Sequence, residues 1–153
     1  MLRETINNAL KDAMKAQDKR RVSTLRLINA AIKNADIEAR GQGKDALAED
    51  ALPSLFQKMI KQRQESAELY EKGGRPELAA QEREEIEIIS SYLPKQMSDL
   101  EAGAVIQALV HEINAQGLKD MGRTMTALKE RFAGKMDFAR ASAKVKELLG
   151  GSR

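Results

Sequence analysis

A chain of 153 residues, 42% hydrophobic and 32% charged, falls in the size and composition range of one folded domain or two small ones. Aromatics make up only 3%, with no Trp, so a core must be built from Leu, Ile, Val, Ala and Met, and a large sheet lacks its usual formers. The absence of Cys excludes disulfides, thiolate metal sites and Cys nucleophiles, and a net charge of +3 is too mild by itself to demand an anionic partner.

Leu2, Ile6, Ala9, Leu10, Ala13 and Met14 recur at helical spacing and predict a first helix from about Leu2 to Gln17. Asp18 can cap a second, with Val22, Leu25, Ile28, Ile32, Ala35 and Ala39 along one face and Gly41-Gln42-Gly43 at its end. A third carries Leu52, Leu55, Phe56, Met59, Ile60, Ala67 and Tyr70, with Pro53 near its start, where a missing amide donor does little harm. Gly73-Gly74-Arg75-Pro76 reads as a turn, and Pro76 opens a fourth helix that should stop at Tyr92-Leu93-Pro94.

After Pro94, Ser98-Asp99-Leu100-Glu101 has the form of a capping box for a fifth helix ending near Gly117. Asp120 and Asp137 can cap a sixth and a seventh, separated by Ala133-Gly134, and the end from Gly150 to Arg153 should fray. The expectation is an all-α protein: an N-terminal bundle of about four helices over residues 1–94 and a smaller three-helix domain over 95–153. No stretch approaches the ~18 apolar residues of a membrane span, and the N-terminus mixes acids with bases from the outset. A cytoplasmic protein without a membrane partner is expected.

Few residues suggest chemistry. His111 is the sole histidine and lacks the partners of a triad or of a paired Glu-x-x-His metal centre, so a plain surface position is the better reading. Glu82, Glu84, Glu85 and Glu87 form an acidic cluster, read as a solvated face rather than a divalent-metal site. Arg63 falls on the apolar stripe of the third helix and should pair with Glu82 or Glu85 across the turn, because a buried unpaired guanidinium is costly. Lys19-Arg20-Arg21, Arg26 and Lys33 give the second helix a basic flank with no aromatics interleaved to stack on bases. No catalytic residue, cofactor or metal site is expected.

Charge is distributed unevenly. From Lys95 to Arg153 there are ten Lys and Arg against seven Asp and Glu, whereas the rest of the chain holds sixteen of each sign. Lys119, Arg123, Lys129, Arg131, Lys135, Arg140, Lys144 and Lys146 could meet phosphates by point charge and paired hydrogen bonds, or could simply be a solvated face.

Lys61-Gln62-Arg63-Gln64-Glu65-Ser66, Gly74-Arg75-Pro76-Glu77-Leu78-Ala79 with Glu82, and Tyr92-Leu93-Pro94-Lys95-Gln96-Met97 closely resemble the YqeY proteins. So do Ser23-Thr24-Leu25-Arg26 and Ala31-Ile32-Lys33-Asn34. Lys119-Asp120-Met121-Gly122-Arg123, Ala127-Leu128-Lys129 and Ala133-Gly134-Lys135 are similar to the tail shared with GatB, the B subunit of the tRNA-dependent amidotransferase.

The resemblance implies a helical bundle followed by a smaller helical tail that helps hold tRNA. Its RNA-facing positions would be Lys119, Gly122, Arg123, Lys129, Gly134 and Lys135, with Gly122 letting a phosphate near the helix amides. It also implies a link to glutamine-dependent carbon–nitrogen ligation. The catalytic part of GatB has no counterpart here, and no residues recognisably bind ATP. The chain therefore reads as an accessory module whose partner is tRNA or a tRNA-linked protein complex. A protein-interaction module acting through the N-terminal bundle is the alternative. Glu130, where a proline is expected, and Met136-Asp137-Phe138, where small residues are expected, depart from the pattern.

Overall fold

The computed structural model describes residues 1–151. Among them are seven α-helices and no strand: α1 (Leu2–Lys15), α2 (Lys19–Gly41), α3 (Leu52–Lys72), α4 (Pro76–Ser90), α5 (Asp99–Glu112), α6 (Met121–Phe132) and α7 (Phe138–Gly151). Single 3-10 turns at Glu49–Ala51 and Leu118–Asp120 lead into α3 and α6. None of the helices is long and apolar enough to cross a membrane. The protein is all-α.

The chain divides into two compact units, Met1–Leu93 and Pro94–Arg153, each with its own core. In the first, Ile6 of α1, Leu25, Ile28 and Ile32 of α2, Leu52, Phe56 and Met59 of α3 and Ile89 of α4 are fully or nearly fully buried. In the second, Ile106 and Leu109 of α5, Leu128 of α6, Met136, and Ala141, Val145 and Leu149 of α7 close a smaller core. Met136 thus fills space in the interior, which is what the larger side chain at that departure from the pattern does.

Helix starts follow their caps. Asp18 accepts from the Arg21 amide at 3.1 Å, Ser98 and Glu101 form a reciprocal capping box, and Asp137 accepts from the Ala139 amide at 2.9 Å. Asp120 behaves differently: its side chain makes no cap on α6 and instead accepts from the Gln116 amide at 2.8 Å, holding the 3-10 turn.

Helix ends are set by left-handed residues. After α1, α2, α3 and α5 the chain passes through a positive φ at Gln17, Gly43, Gly74 and Asn114, and in each case the next amide reaches five residues back. The pairs are Asp18 to Ala13, Lys44 to Ala39, Arg75 to Tyr70 and Ala115 to Val110. This ends α1 at Lys15 and α5 at Glu112, the latter about one turn earlier than expected. Helix α4 likewise stops at Ser90, before Tyr92. At the C-terminus α7 continues through Gly151 where fraying was expected from Gly150, and Ser152 and Arg153 lie outside the described residues.

Candidate functional site

The cations of the second unit fall into two chemical groups. Among the described residues its arginines are engaged. Arg123 donates from Nε to Asp120 at 3.0 Å, from Nη1 to the Ile113 carbonyl at 2.7 Å and from Nη2 to the Asn114 carbonyl at 3.3 Å. Both carbonyls stand at the end of α5, where the helix leaves acceptors without partners, so this guanidinium works as a C-terminal cap. The Gln116 amide and Arg123 together hold the Asp120 carboxyl below its ordinary range.

Arg131 forms a two-pronged pair with Glu112 of α5 at 2.6 and 3.1 Å. That contact lowers the Glu112 pKa and raises that of Arg131, with a further upward contribution from nearby Glu130. Arg140 lies 3.4 Å from Asp99 and 4.0 Å from Asp137.

The lysines are not engaged in this way. Lys119, Lys129, Lys135, Lys144 and Lys146 are all exposed, and none has an ion pair among the described residues. Gly122, Thr126 and Lys129 follow one another at i, i+4 and i+7 along the exposed face of α6, and a Cβ at Gly122 would meet only open space. Lys119 precedes that face and Lys135 follows it. Glu130 is exposed beside Lys129 and brings one negative charge to the same helix.

Gly134 has another role. It is buried at a φ of +76°, and its carbonyl accepts from the Gln96 side chain while the Met97 amide donates to the Lys135 carbonyl at 2.9 Å. The turn there ties the segment after Pro94 to the α6–α7 connection. Of the six positions the resemblance singled out, Gly122 and Lys129 share one open face, Lys119 and Lys135 are exposed before and after that helix in the chain, Arg123 is drawn onto the α5 terminus and Gly134 shapes a turn.

In the first unit, Arg63 donates from Nε to Glu85 at 3.1 Å and from Nη1 to the Met59 carbonyl at 3.3 Å, so the expected pairing across the α3–α4 turn is present. Glu85 is buried, which corrects its reading as part of a solvated face; Glu84 and Glu87 remain exposed. Burial, reinforced by the Glu85 charge and opposed by Arg63, raises the Glu82 pKa. Arg20 pairs with Glu84 at 3.0 Å, Arg83 with Glu71 at 2.6 Å, and Arg21 donates to the Tyr92 hydroxyl at 2.7 Å while lying over its ring. Of the acidic cluster, Glu85 is thus paired inside the bundle and Glu84 is paired at its surface. His111 is exposed on the last turn of α5.

One contact had no sequence signal. Arg3 of α1 grips Asp36 of α2 through two hydrogen bonds of 2.8 and 2.7 Å, and reaches the Leu47 carbonyl at 2.7 Å. The Arg3 guanidinium, helped by the Leu47 amide, holds the Asp36 carboxyl at about 2. Among the described residues no three Asp, Glu or His side chains gather as a metal cluster, and a shallow cleft of about 270 Å³ is lined by Asp12, Asp18, Arg21, Ala9 and Ala13 of α1, and Ala16 just after it.

Comparison with known proteins places this geometry in a family. Proteins named "Altered inheritance of mitochondria protein 41, mitochondrial" are similar to the chain in several fungi. That of Lachancea thermotolerans is 42% identical over 106 residues, which is 68% of this chain and 55% of that protein. That of Eremothecium gossypii is 34% identical over 109 residues, covering 69% and 57% respectively. That of Pyrenophora tritici-repentis is 28% identical over 148 residues, covering 92% and 77%. The chain therefore spans little more than half the length of the first two. Their names overturn the cytoplasmic expectation, since each of these relatives is called mitochondrial. The Yqey-like protein model matches residues 3–149, nearly the whole chain, and the chain belongs to the YqeY-like family.

Proposed function

We propose that this YqeY-like protein is an accessory module that holds tRNA through the lysines of its second unit, in the service of glutamine-dependent tRNA amidation carried out by a catalytic partner. The observation that carries the reading is the division of labour among cations. Arginines 123, 131 and 140 are spent on internal carboxylates and carbonyls, while Lys119, Lys129, Lys135, Lys144 and Lys146 stay exposed and unpaired among the described residues. Free ammonium groups suit sequence-independent contact with phosphates, whose affinity comes from counterion release rather than from base reading. The uneven charge of the chain supports the same reading, because the whole positive excess lies beyond Pro94.

The module needs no catalytic residue of its own. Its contribution is to raise the local concentration of the RNA substrate at an enzyme that supplies carboxyl activation and ammonia. The test is a titration of tRNA with the full chain and with Lys119→Ala/Lys129→Ala/Lys135→Ala, together with transamidation assays of the catalytic partner in the presence and absence of the chain. Equal, negligible binding by both proteins would refute the tRNA role. Unchanged transamidation would refute the link to amidation.

A further inference from the structure

Helix α2 is covered by α1, α3 and α4 on one side and open on the other. Its buried residues, Thr24, Leu25, Ile28, Ile32 and Ala39, cluster on the covered side. The opposite face holds Lys19, Arg26, Lys33 and Arg40, all exposed and spaced seven residues apart over about 31 Å of helix. Beside this stripe runs a seam of Ser23, Ala30 and Ile37, also seven apart, with Ile37 54% and Leu27 44% exposed.

Lys19, Arg26 and Lys33 have no ion pair among the described residues; Arg40 is held by the Asp45 carbonyl at 3.0 Å. Acids are nearly missing from this face. Of the two on α2, Asp36 is gripped by Arg3, and Glu38 is the one exposed acid, near the far end.

We propose that this face docks an amphipathic helix of a partner protein whose acids recur every seventh residue beside a small or aliphatic seam. A seven-residue repeat of like charge along one edge, flanking small and aliphatic positions, is the arrangement by which paired helices choose partner and register. Ala30 at the centre lets a second helix approach closely, and Ile37 and Leu27 bury against it. A polyphosphate strand would leave both aliphatic side chains uncovered, and no aromatic lies among them to stack on a base. The open cations on one edge attract acids and repel a basic helix, which supplies specificity as well as attraction. The inference is independent of the tRNA reading, which concerns the other unit.

The experiment uses the full chain and two labelled synthetic helical peptides of three heptads each. One carries Glu at successive seventh positions beside a Leu/Ala seam, and its twin carries Lys there instead. Fluorescence anisotropy is expected to show binding of the Glu peptide at least about tenfold tighter than the Lys twin. Arg26→Glu/Lys33→Glu should reverse that preference, Arg26→Gln/Lys33→Gln should abolish it, and Ile37→Asp should weaken the Glu peptide about tenfold. Circular dichroism of each variant checks that helicity is kept, and the neutral pair serves where the charge-reversed one does not fold. The proposal is overturned if the wild-type chain does not discriminate, if the neutral pair keeps the preference, or if Ile37→Asp binds unchanged. It is also overturned if a single-stranded RNA oligomer of equal charge displaces the peptide more effectively than unlabelled peptide does.

Discussion

Arg63 illustrates how much one side chain can do in a chain with no catalytic centre. Its guanidinium is 15% exposed and its partner Glu85 only 8%, so the pair is largely withdrawn from water. Replacing Arg63 by Met leaves a buried carboxylate unpaired, and urea denaturation should register a loss of about 3 kcal/mol. Glu82 gives the opposite sign. Its folded pKa is raised, so the native state binds its proton more tightly than the unfolded chain, and the ionised form opposes folding as pH rises. Glu82→Gln should therefore raise Tm at neutral pH, with the gain shrinking as pH falls through the raised folded value towards 4.5 and vanishing below it.

Asp36 works the other way again. With a folded value of about 2 against 3.8, its stabilisation is complete above that ordinary value and is lost as pH falls through the lower one. Asp36→Asn should remove this component from the acid-unfolding curve, flattening it between those limits. The Arg63 pairing was legible in the sequence because a cation stood on an apolar stripe opposite acids. The Arg3–Asp36 grip was not, because its members lie 33 residues apart on helices whose rotation only the packing sets.

At the scale of elements, helix starts were easier to read than helix ends. Asp18, Ser98 with Glu101, and Asp137 cap by side chains that announce themselves. The ends of α1 and α5 rest instead on Gln17 and Asn114 in left-handed geometry, and the longer expected α5 followed from looking for glycine at 117. The end of α5 also explains Arg123, whose position in a family-like segment suggested contact with RNA and whose three nitrogens, on an exposed side chain, bond to Asp120 and to the α5-terminal carbonyls. Arg123→Ala should lower stability by about 1–2 kcal/mol, read by thermal unfolding, because two terminal carbonyls lose a charged donor. Lys129→Ala, on the open face of the next helix, should leave Tm within error.

At the scale of the whole chain, each unit closes its own core, and aliphatic periodicity alone made the all-α architecture readable. A fragment spanning 94–153 should therefore retain helical circular dichroism and a cooperative thermal transition. The chemistry of the second unit was legible only as a count of cations, because sequence does not say which of them meet carboxylates in the folded state. Among the described residues of that unit the sorting leaves lysines as the free charges, and the tRNA reading depends on it. The decisive measurement is the salt dependence of tRNA affinity for the wild-type chain and for Lys119→Ala/Lys129→Ala/Lys135→Ala. In the wild type log K is expected to fall steeply with log salt concentration, with a slope shallower by about three in the variant. Parallel slopes and equal affinities for the two proteins would contradict the tRNA reading.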